Sequence, residues 1–564
     1  MRERGQGGRD SDKRNAKPVY HYSEEAGFTG GVELEPIAII DSDDKEKLEL
    51  EALEEPIIGH WGNRHSGNGA EESKPEREPI PEHIEQFIEK LETEVGYKKS
   101  FDVVVREMTF GEKRTALFFL NGFAKDQVLT EVLKRLSYLQ SDDLSPDALH
   151  SFLDLYVPAV QVMQECDWNN MMAGVLAGAS ALYIDGENSL LMIDAKSFPA
   201  RSPEEPSLER VVRGSRDGFV ETMLVNVTLV RRRLRDKHLR YETMRVGDRT
   251  QTDVCLAYID DIADMEMLEA IRDKIKQVKL DGLPLADKQL EEATVKRGWN
   301  PFPLVRYSER PDVVAAHLME GHIAVFVDTS PSVMILPTTF FDLVQHAEEN
   351  RQTPFLGTYF RWVRFFGIFA SLFLLPVWFL FTLQPELKPA ALEFIGVQKE
   401  AKIPLVAQFL LAEIGVDLMR MAAVHTPAPL ATAMSLIAAI LIGDIAVETG
   451  LFVNEVILYM AVAAIGMFAT PSYELGLANR IVRLLLIISV AFFRVPGFMI
   501  TSTAVFIILV LMRSFNRPYM WPFIPFDVKG LWSIFIRPPV LYNRTRPNLL
   551  KPQQRNRMPE ANKE

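Results

Sequence analysis

The sequence predicts an α/β chain continued by a membrane α-helical one: two duplicated soluble α/β subdomains followed by a polytopic helical membrane domain. Three observations predict it. Segments within the first 345 residues line up with one another at a nearly constant offset. A mean hydropathy of +0.00 averages two unlike halves, a charged stretch up to residue 361 and long apolar runs over 362–515. Those apolar runs carry ionisable residues at helical spacing, as helices do when one face looks into a bundle or a water-filled cavity.

The 564 residues allow two to four domains. The net charge of −14 excludes the basic face that nucleic-acid binding needs. Cys166 and Cys255 are the two cysteines, both in mostly apolar settings, which predicts buried free thiols in a reducing compartment and no disulfide or zinc site. The first residues have no apolar h-region, so the expectation is entry into a membrane through the first apolar helix.

Residues 1–81 sum to about −8 and hold few apolar groups, which predicts a disordered acidic leader. Subdomain 1 spans 82–205. It opens on the helical "PEHIEQFIEKLETEVG", followed by the strands "DVVVREM" and "TALFFLNGF" and the helices "KDQVLTEVLKRLSYL" and "SPDALHSFLDLYVP". It closes on a hairpin, "SALYIDGENSLLMIDA", turning at Asp185-Gly186. A connecting helix is expected in 206–239. Its basic end, Arg231 to Arg235, suits lipid phosphates, another subunit or plain solvent. Subdomain 2 spans 240–350 and repeats the first. Leu120 matches Ile259, Leu129 matches Leu268, Val132 matches Ile271, Gly178 matches Gly321 and Asp185 matches Asp328.

The helical membrane domain spans 360–515. The run 362–383 is long enough to cross a bilayer, with Arg361, Arg364 and Trp378 as flanking anchors. Further apolar segments lie at 404–425, 430–448, 453–470 and 481–513, giving four to six crossings. The last is either a kinked helix or a tight hairpin divided at Arg494-Val495-Pro496-Gly497. A basic tail follows at 516–564, and counted from Arg513 it sums to about +7. The tail and Arg361 place both ends of the domain on the cytoplasmic side, which requires an even number of crossings. If 404–425 crosses, a hairpin at 481–513 preserves that parity.

No constellation points to an enzyme. "TFGEKRT" lacks the glycines and the Gly-Lys-Ser/Thr end of a phosphate loop, and "YIDDIADMEMLE" lacks calcium-loop spacing. His346 and His425 have no neighbour at metal-ligand spacing, so no metal or cofactor is expected. The candidate ion-path residues lie in the apolar half. Glu413, Asp417 and Arg420 share one helix face, with Arg420 in reach of Asp417. That face suits a pore mouth, or a helix lying in the headgroup layer. Asp444, Glu448 and Glu455 add negative charge near the next two segments. Met460 and Ala464 belong to 453–470, whose small residues Ala461, Ala463, Ala464 and Gly466 suit a narrow apolar constriction or close helix packing.

Four strings carry a family resemblance: "DRTQTDVCLAYIDDIAD", "SERPDVVAAHLMEGHIAVFVDTSPSVMILPTTFFD", "TPSYELGLANRIVRLLLI" and "RSFNRPYMWPFIP". Together, in order over about 100–530, they resemble the A-subunit family of spore germination proteins, the GerA family. "SFDVVVREMTFGEKRTALFFLNGF" is most similar to its stage V sporulation branch rather than to the nutrient-receptor subunits proper. The resemblance implies a multi-pass protein of the spore inner membrane. It also implies a homo-oligomeric, pentamer-like channel for monovalent cations that amplifies germination and works beside other germination proteins. A non-conducting scaffold that clusters such proteins is the alternative. The leader 1–81 is longer than the usual family start, and "GDIAVETG" at 443–450 replaces a more neutral pattern, which implies a pore charge different from that of relatives.

Overall fold

Each of two antiparallel sheets is covered by helices on both faces, and an apolar helical bundle stands on the second of them. The computed structural model describes residues 78–140, 149, 152–153, 157, 161–197, 209, 211–295, 298–389, 396–397, 402–425 and 445–557. The expectations for the leader up to residue 77, for most of the helix at 145–158 and for the segment 430–444 with Asp444 lie outside the described residues.

The first sheet joins β1 (Val103–Phe110), β2 (Lys113–Leu120), β3 (Val162–Glu165), β4 (Ser180–Ile184) and β5 (Leu190–Ile193) in the order β1-β2-β4-β5-β3. Every residue of β4 and β5 is buried, because helices pack on both faces. On one face are α1 (Ile84–Glu94), which buries Ile84, Phe87 and Leu91 at helical spacing, and α3 (Trp168–Leu176). On the other is α2 (Asp126–Leu136), through Leu129, Val132 and Leu136.

The second sheet repeats this plan. Strands β6 (Leu239–Val246), β7 (Thr252–Ile259), β8 (Arg306–Ser308), β9 (Ile323–Val327) and β10 (Val333–Leu336) run in the order β6-β7-β9-β10-β8. Helices α4 (Met223–Arg233) and α7 (Pro311–Glu320) cover one face, α5 (Met265–Lys276) and α6 (Ala286–Val295) the other. The duplication read from the sequence extends to single atoms. Asp185 Oδ1 accepts the Ile84 N–H at 2.9 Å at the start of α1, and Asp328 Oδ1 accepts the Met223 N–H at 3.0 Å at the start of α4. Gly178 and Gly321, just past α3 and α7, both have φ of 105°, a conformation that L side chains rarely adopt.

The matched caps show that the repeat is larger than the aligned strings. Helix α4, expected as a connector, is the counterpart of α1 and opens the second copy. Its basic end faces neither lipid nor solvent at its key residue. Arg231 is buried, reaches Asp102 of the first copy at 2.8 Å, and donates to the carbonyls of Asp236 and Leu239 at 3.1 Å each. Arg233 pairs with Asp217 at 2.5 Å. Of the two cysteines, Cys255 is buried in β7, and burial pushes its thiol well above the usual range. Cys166 is exposed, contrary to expectation, because it lies between the edge strand β3 and α3.

After the short α8 (Ala347–Arg351) the bundle begins. Helix α9 (Pro354–Leu383) starts eight residues before the apolar run does, with Thr353 accepting the Leu356 N–H and Pro354 in its first turn. Helix α10 (Leu405–His425) returns along it. Phe409 near its start meets Trp378 and Phe379 at ring separations of 5.8 and 5.5 Å, and Arg420 near its end reaches Met467. Helix α11 (Asn454–Phe468) runs the same way as α10: Val453 is bonded to Gln408 at 3.0 Å, and its other end reaches the sheet side.

Helix α12 (Tyr473–Leu511) is a hairpin. Arg494 breaks it, at φ 52° and ψ −128°. Thr501 Oγ1 donates to Ser489 Oγ at 2.8 Å, although twelve residues of straight helix span about 18 Å. A Cβ on Gly497 would lie 2.2 Å from the Ser489 carbonyl oxygen, so only glycine allows the arms to approach there. The arms, 473–493 and 495–511, bring Leu475 and Met512 back into one apolar cluster beside Phe302 and Leu304. Helices α9 and α12 are long and apolar enough to cross a membrane, and α12 reaches that length as two antiparallel arms. The basic tail is part of the fold. Helix α13 (Val528–Phe535) packs on α9, and residues to Arg557 wrap subdomain 2, with Arg557 on Glu320 at 2.6 Å and Gln553 on the Asp260 and Ala263 carbonyls.

The paired caps give a direct check on the duplication. Asp185→Ala and Asp328→Ala should each cost about 1 kcal/mol in denaturant unfolding of the full chain, and Asp→Asn at either position much less. A clear inequality between the two alanine variants would show that the copies are not held alike.

Candidate functional site

The three charges inside α10 are held by the bundle. Glu413, one turn before Asp417, points at the first arm of α12. There Arg480 and Arg483, three residues apart and so on one face, take one carboxylate oxygen each. Arg480 Nε donates to Glu413 Oε2 at 2.8 Å and Arg483 Nε to Oε1 at 2.6 Å. All three side chains are buried: Glu413 and Arg483 are 1% exposed and Arg480 6%. Arg480 also donates to the Glu413 carbonyl at 2.6 Å. Arg483 crosses to α9, donating to the Ser371 carbonyl at 2.8 Å and its hydroxyl at 3.1 Å. One carboxylate thereby fixes the mutual register of α9, α10 and α12.

Charge balance explains why the cluster can exist. Taking an ion from water into a medium of low dielectric costs several kcal/mol, and only partners with good geometry offset it. Asp417 supplies a second negative group against Arg480, so the four groups sum to zero. The expected pairing of Asp417 with Arg420 does not form. Arg480 takes Asp417, and Arg420 lies between the rings of Phe468 and Tyr473, 5.7 and 5.8 Å from their centroids, with the Met467 sulfur as its hydrogen-bond acceptor at 2.9 Å.

The residues expected as membrane anchors turn inward. Arg361 reaches Glu349 at 2.6 Å and the Ser533 and Ile534 carbonyls at 2.6 and 3.2 Å, and Arg364 pairs with the same carboxylate. Trp378 is buried against Phe409 and Tyr459. The first turns of α9 are thus bolted to α8 and α13. Other joints tie subdomain 2 to α12 and the tail. Lys288 of α6 bridges Glu291 and Glu474 at 2.5 and 2.7 Å. Burial works against its charge, but the hydrogen bonds to those two carboxylates outweigh it and hold its pKa above the usual range. Arg517 pairs with Asp264, and Ser514 donates to the Leu304 carbonyl at 2.8 Å.

The remaining candidates divide by face. Met460 and Ala463 of α11 are buried, and Gly466 lies so close to α9 that a Cβ there would stand 2.1 Å from the Gly367 carbonyl oxygen. Close packing therefore claims this side of the small-residue set. The other side is outward: Leu458, Ala461, Val462, Ile465 and Phe468 are exposed, with Ala464 half-buried at its edge. Glu448 is exposed and Glu455 half-buried, both at the end of the bundle away from the sheets. Glu413 is taken up by Arg480 and Arg483, and Arg420 meets α11 at Met467 and Phe468, away from Glu448 and Glu455, so the candidates do not form one constellation. Sequence reasoning missed Arg480 and Arg483. The signal was present: two arginines at i, i+3 in one apolar run, and an unbalanced acidic pair in another.

These features match one family. The family model for the Bacillus/Clostridium GerA spore germination protein matches residues 89–549, and the chain belongs to that family. Stage V sporulation protein AF of Bacillus subtilis (strain 168) is 46% identical over 490 residues, 85% of this chain and 99% of that protein, which bears out the resemblance of the quoted strings. An uncharacterized membrane protein of the same strain, YfkQ, is 30% identical over 82% of this chain and 90% of its own length. Among solved structures, the N-terminal domain of the A subunit of the Bacillus megaterium spore germinant receptor GerK3 is 26% identical, with a TM-score of 0.36. It covers 47% of this chain and 98% of that one.

Truncating the shared carboxylate leaves two cations buried. Glu413→Ala should destabilise the detergent-solubilised chain by about 3–5 kcal/mol, seen as a large fall in Tm, with Glu413→Gln intermediate. Equal melting of wild type and the alanine variant would rule out the pairing as the bundle's tie.

Proposed function

We propose that this spore germination protein is a homo-oligomeric cation channel, pentamer-like in symmetry. It crosses the spore inner membrane several times, releases monovalent ions during germination and so amplifies the response. Family membership supports the setting, and the two long apolar helices support the bilayer. The outward face of α11 is the observation that carries the channel. Glu413 and Asp417 are paired inside one chain, so an ion path past them is blocked by their own counter-ions. A path between copies needs an outward helix that is apolar and narrow at one level and negative at its mouth. Helix α11 offers Ala461 and Ala464 at the first and Glu455 at the second, where Glu448, just before the helix, adds a further carboxylate.

Clustered around an axis, the two glutamates of each copy, with Asp444, would raise the local cation concentration. The alanine level would gate by excluding water until the helices part. The α/β subdomains would hold the ring and pass on the opening signal through the joints at Glu349 and Lys288. The proposed partners are further copies of the chain and other germination proteins of the same membrane.

Reconstitution in liposomes tests this reading. The purified chain should form a ring-shaped oligomer and pass potassium or sodium. Ala464→Trp should abolish flux while leaving assembly intact. Replacing Glu448 and Glu455 together by Gln should slow flux by roughly tenfold at low salt and less at high salt. Oligomers that never conduct, or conduct equally well with Trp at 464, would return the chain to the scaffold alternative.

A further inference from the structure

Where the bundle meets the sheets, α9, α10 and α11 and the first turn of α12 enclose a cavity of about 670 Å³. Its walls are of two kinds. Phe360, Val363 and Leu477 give an apolar side continuous with the outer surface of the bundle. The opposite side is ionic, and most of its groups are engaged. Arg364 is bound to Glu349, Glu209 to Arg306 and Ser308, and Glu348 accepts from the Val212 N–H and Gln352. Burial, with Arg364 beside it, holds His346 below its usual range and so neutral.

Arg420 is different. It lines the same cavity, and among the described residues no carboxylate pairs with it. One donor meets a thioether sulfur, a weak acceptor. Its Nε is buried with no acceptor. The rings of Phe468 and Tyr473 hold the guanidinium in place from the side. A guanidinium held so, with donors unspent beside an apolar wall, matches a tetrahedral anion carried on an aliphatic body.

We propose that this cavity binds the phosphate group of an anionic amphiphile, with Arg420 as its counter-ion and the aliphatic part along Phe360, Val363 and Leu477. A membrane phospholipid and a free phosphate share the recognised chemistry. The lipid source rests on the membrane placement proposed above, but not on conduction.

The test uses the full-length chain, stripped of lipid in a neutral detergent. Short-chain phosphatidylglycerol, phosphatidylcholine of the same chain length and inorganic phosphate are titrated separately, with retention read by native mass spectrometry and Tm by a thermal shift. Phosphatidylglycerol should be retained at least tenfold better than phosphatidylcholine and should raise Tm. Arg420→Gln should remove that preference, and Arg420→Lys should restore part of it. Val363→Trp, at an exposed position, should reduce retention by filling the cavity with Arg420 untouched. Competition by inorganic phosphate at millimolar concentration would assign the site to the free anion, and its failure to compete assigns it to the lipid. Equal retention of the two lipids overturns the proposal. So does an Arg420→Gln variant that loses its oligomeric state with retention unchanged, since the arginine then serves a contact between copies. Liposome flux is read separately, so a chain that binds without conducting, or conducts without binding, tells the two proposals apart.

Discussion

The carboxylate of Glu413 sets what the rest of the bundle can be. On the proposed membrane placement no hydrophobic force draws one helix to another, so packing and polar contacts must fix which faces meet. Here a single acid on α10 engages two arginines of α12, and one of those continues to a backbone carbonyl of α9. Sliding α10 or α12 by one turn, about 5.4 Å, would strand a buried ion, and sliding α9 would strip Arg483 of its Ser371 acceptors. The cluster also decides what remains for the surface. With Arg480, Arg483, Glu413 and Asp417 spent on one another, the outer faces of α10, α11 and both arms of α12 are left to Leu, Ile, Met and Phe. That is the surface that lipid or other copies of the chain require.

The bundle is mounted on the second α/β copy. Glu349 takes Arg361 and Arg364, Lys288 takes Glu474, and Arg517 takes Asp264, so the entry of α9 and both ends of the α12 hairpin are each held by an ion pair. The first copy reaches the bundle through the second, by way of Asp102 with Arg231 and Glu94 with Lys237. Both copies have the same strand order and the same aspartate cap, but they do different work. One copy's helix ends carry the joints to the bundle. The other's carry joints to its twin. A duplicated unit gains this asymmetry cheaply, because a few charged residues at loop ends change partners while the sheet stays as it was.

The duplication was legible because it repeats apolar strand patterns and two turn residues, Asp185 and Gly178, whose conformational role is local. Helix α4 reads as a connector in the sequence because its buried face is mixed, with Asn226, Thr228 and Arg231 inside alongside Val227 and Val230. Strands β3 and β8, "VMQE" and "RYS", are too short to alternate. The partners of Glu413 were hidden for another reason. They lie 67 and 70 residues along the chain, and spacing within one helix shows which charges share a face but not what that face meets. Nearest-neighbour logic therefore joined Asp417 to Arg420, where the fold offers Asp417 a partner on another helix. The anchors Arg361, Arg364 and Trp378 failed as surface residues because each had a buried partner beyond sequence range.

The same pairing decides how the charges at the start of α12 are read in the proposed topology. Counted as loop charges, Arg480 and Arg483 would mark the start of α12 as cytoplasmic, against a scheme in which 404–425 stays out of the bilayer. Both arginines are buried inside the bundle, so they carry no weight as loop charges. What remains is the direction of the helices. Helix α9 leaves the sheets, α10 returns to them, the chain is again at the far end by residue 445, α11 returns, and the two arms of α12 go out and back. On the proposed membrane placement the described helices keep the sheets and the basic tail on one side. Glu448 and Glu455 then lie at the opposite mouth, and Arg420 lies at headgroup depth on the sheet side. The charges inside α10 are the ones that fix how it packs within the bundle.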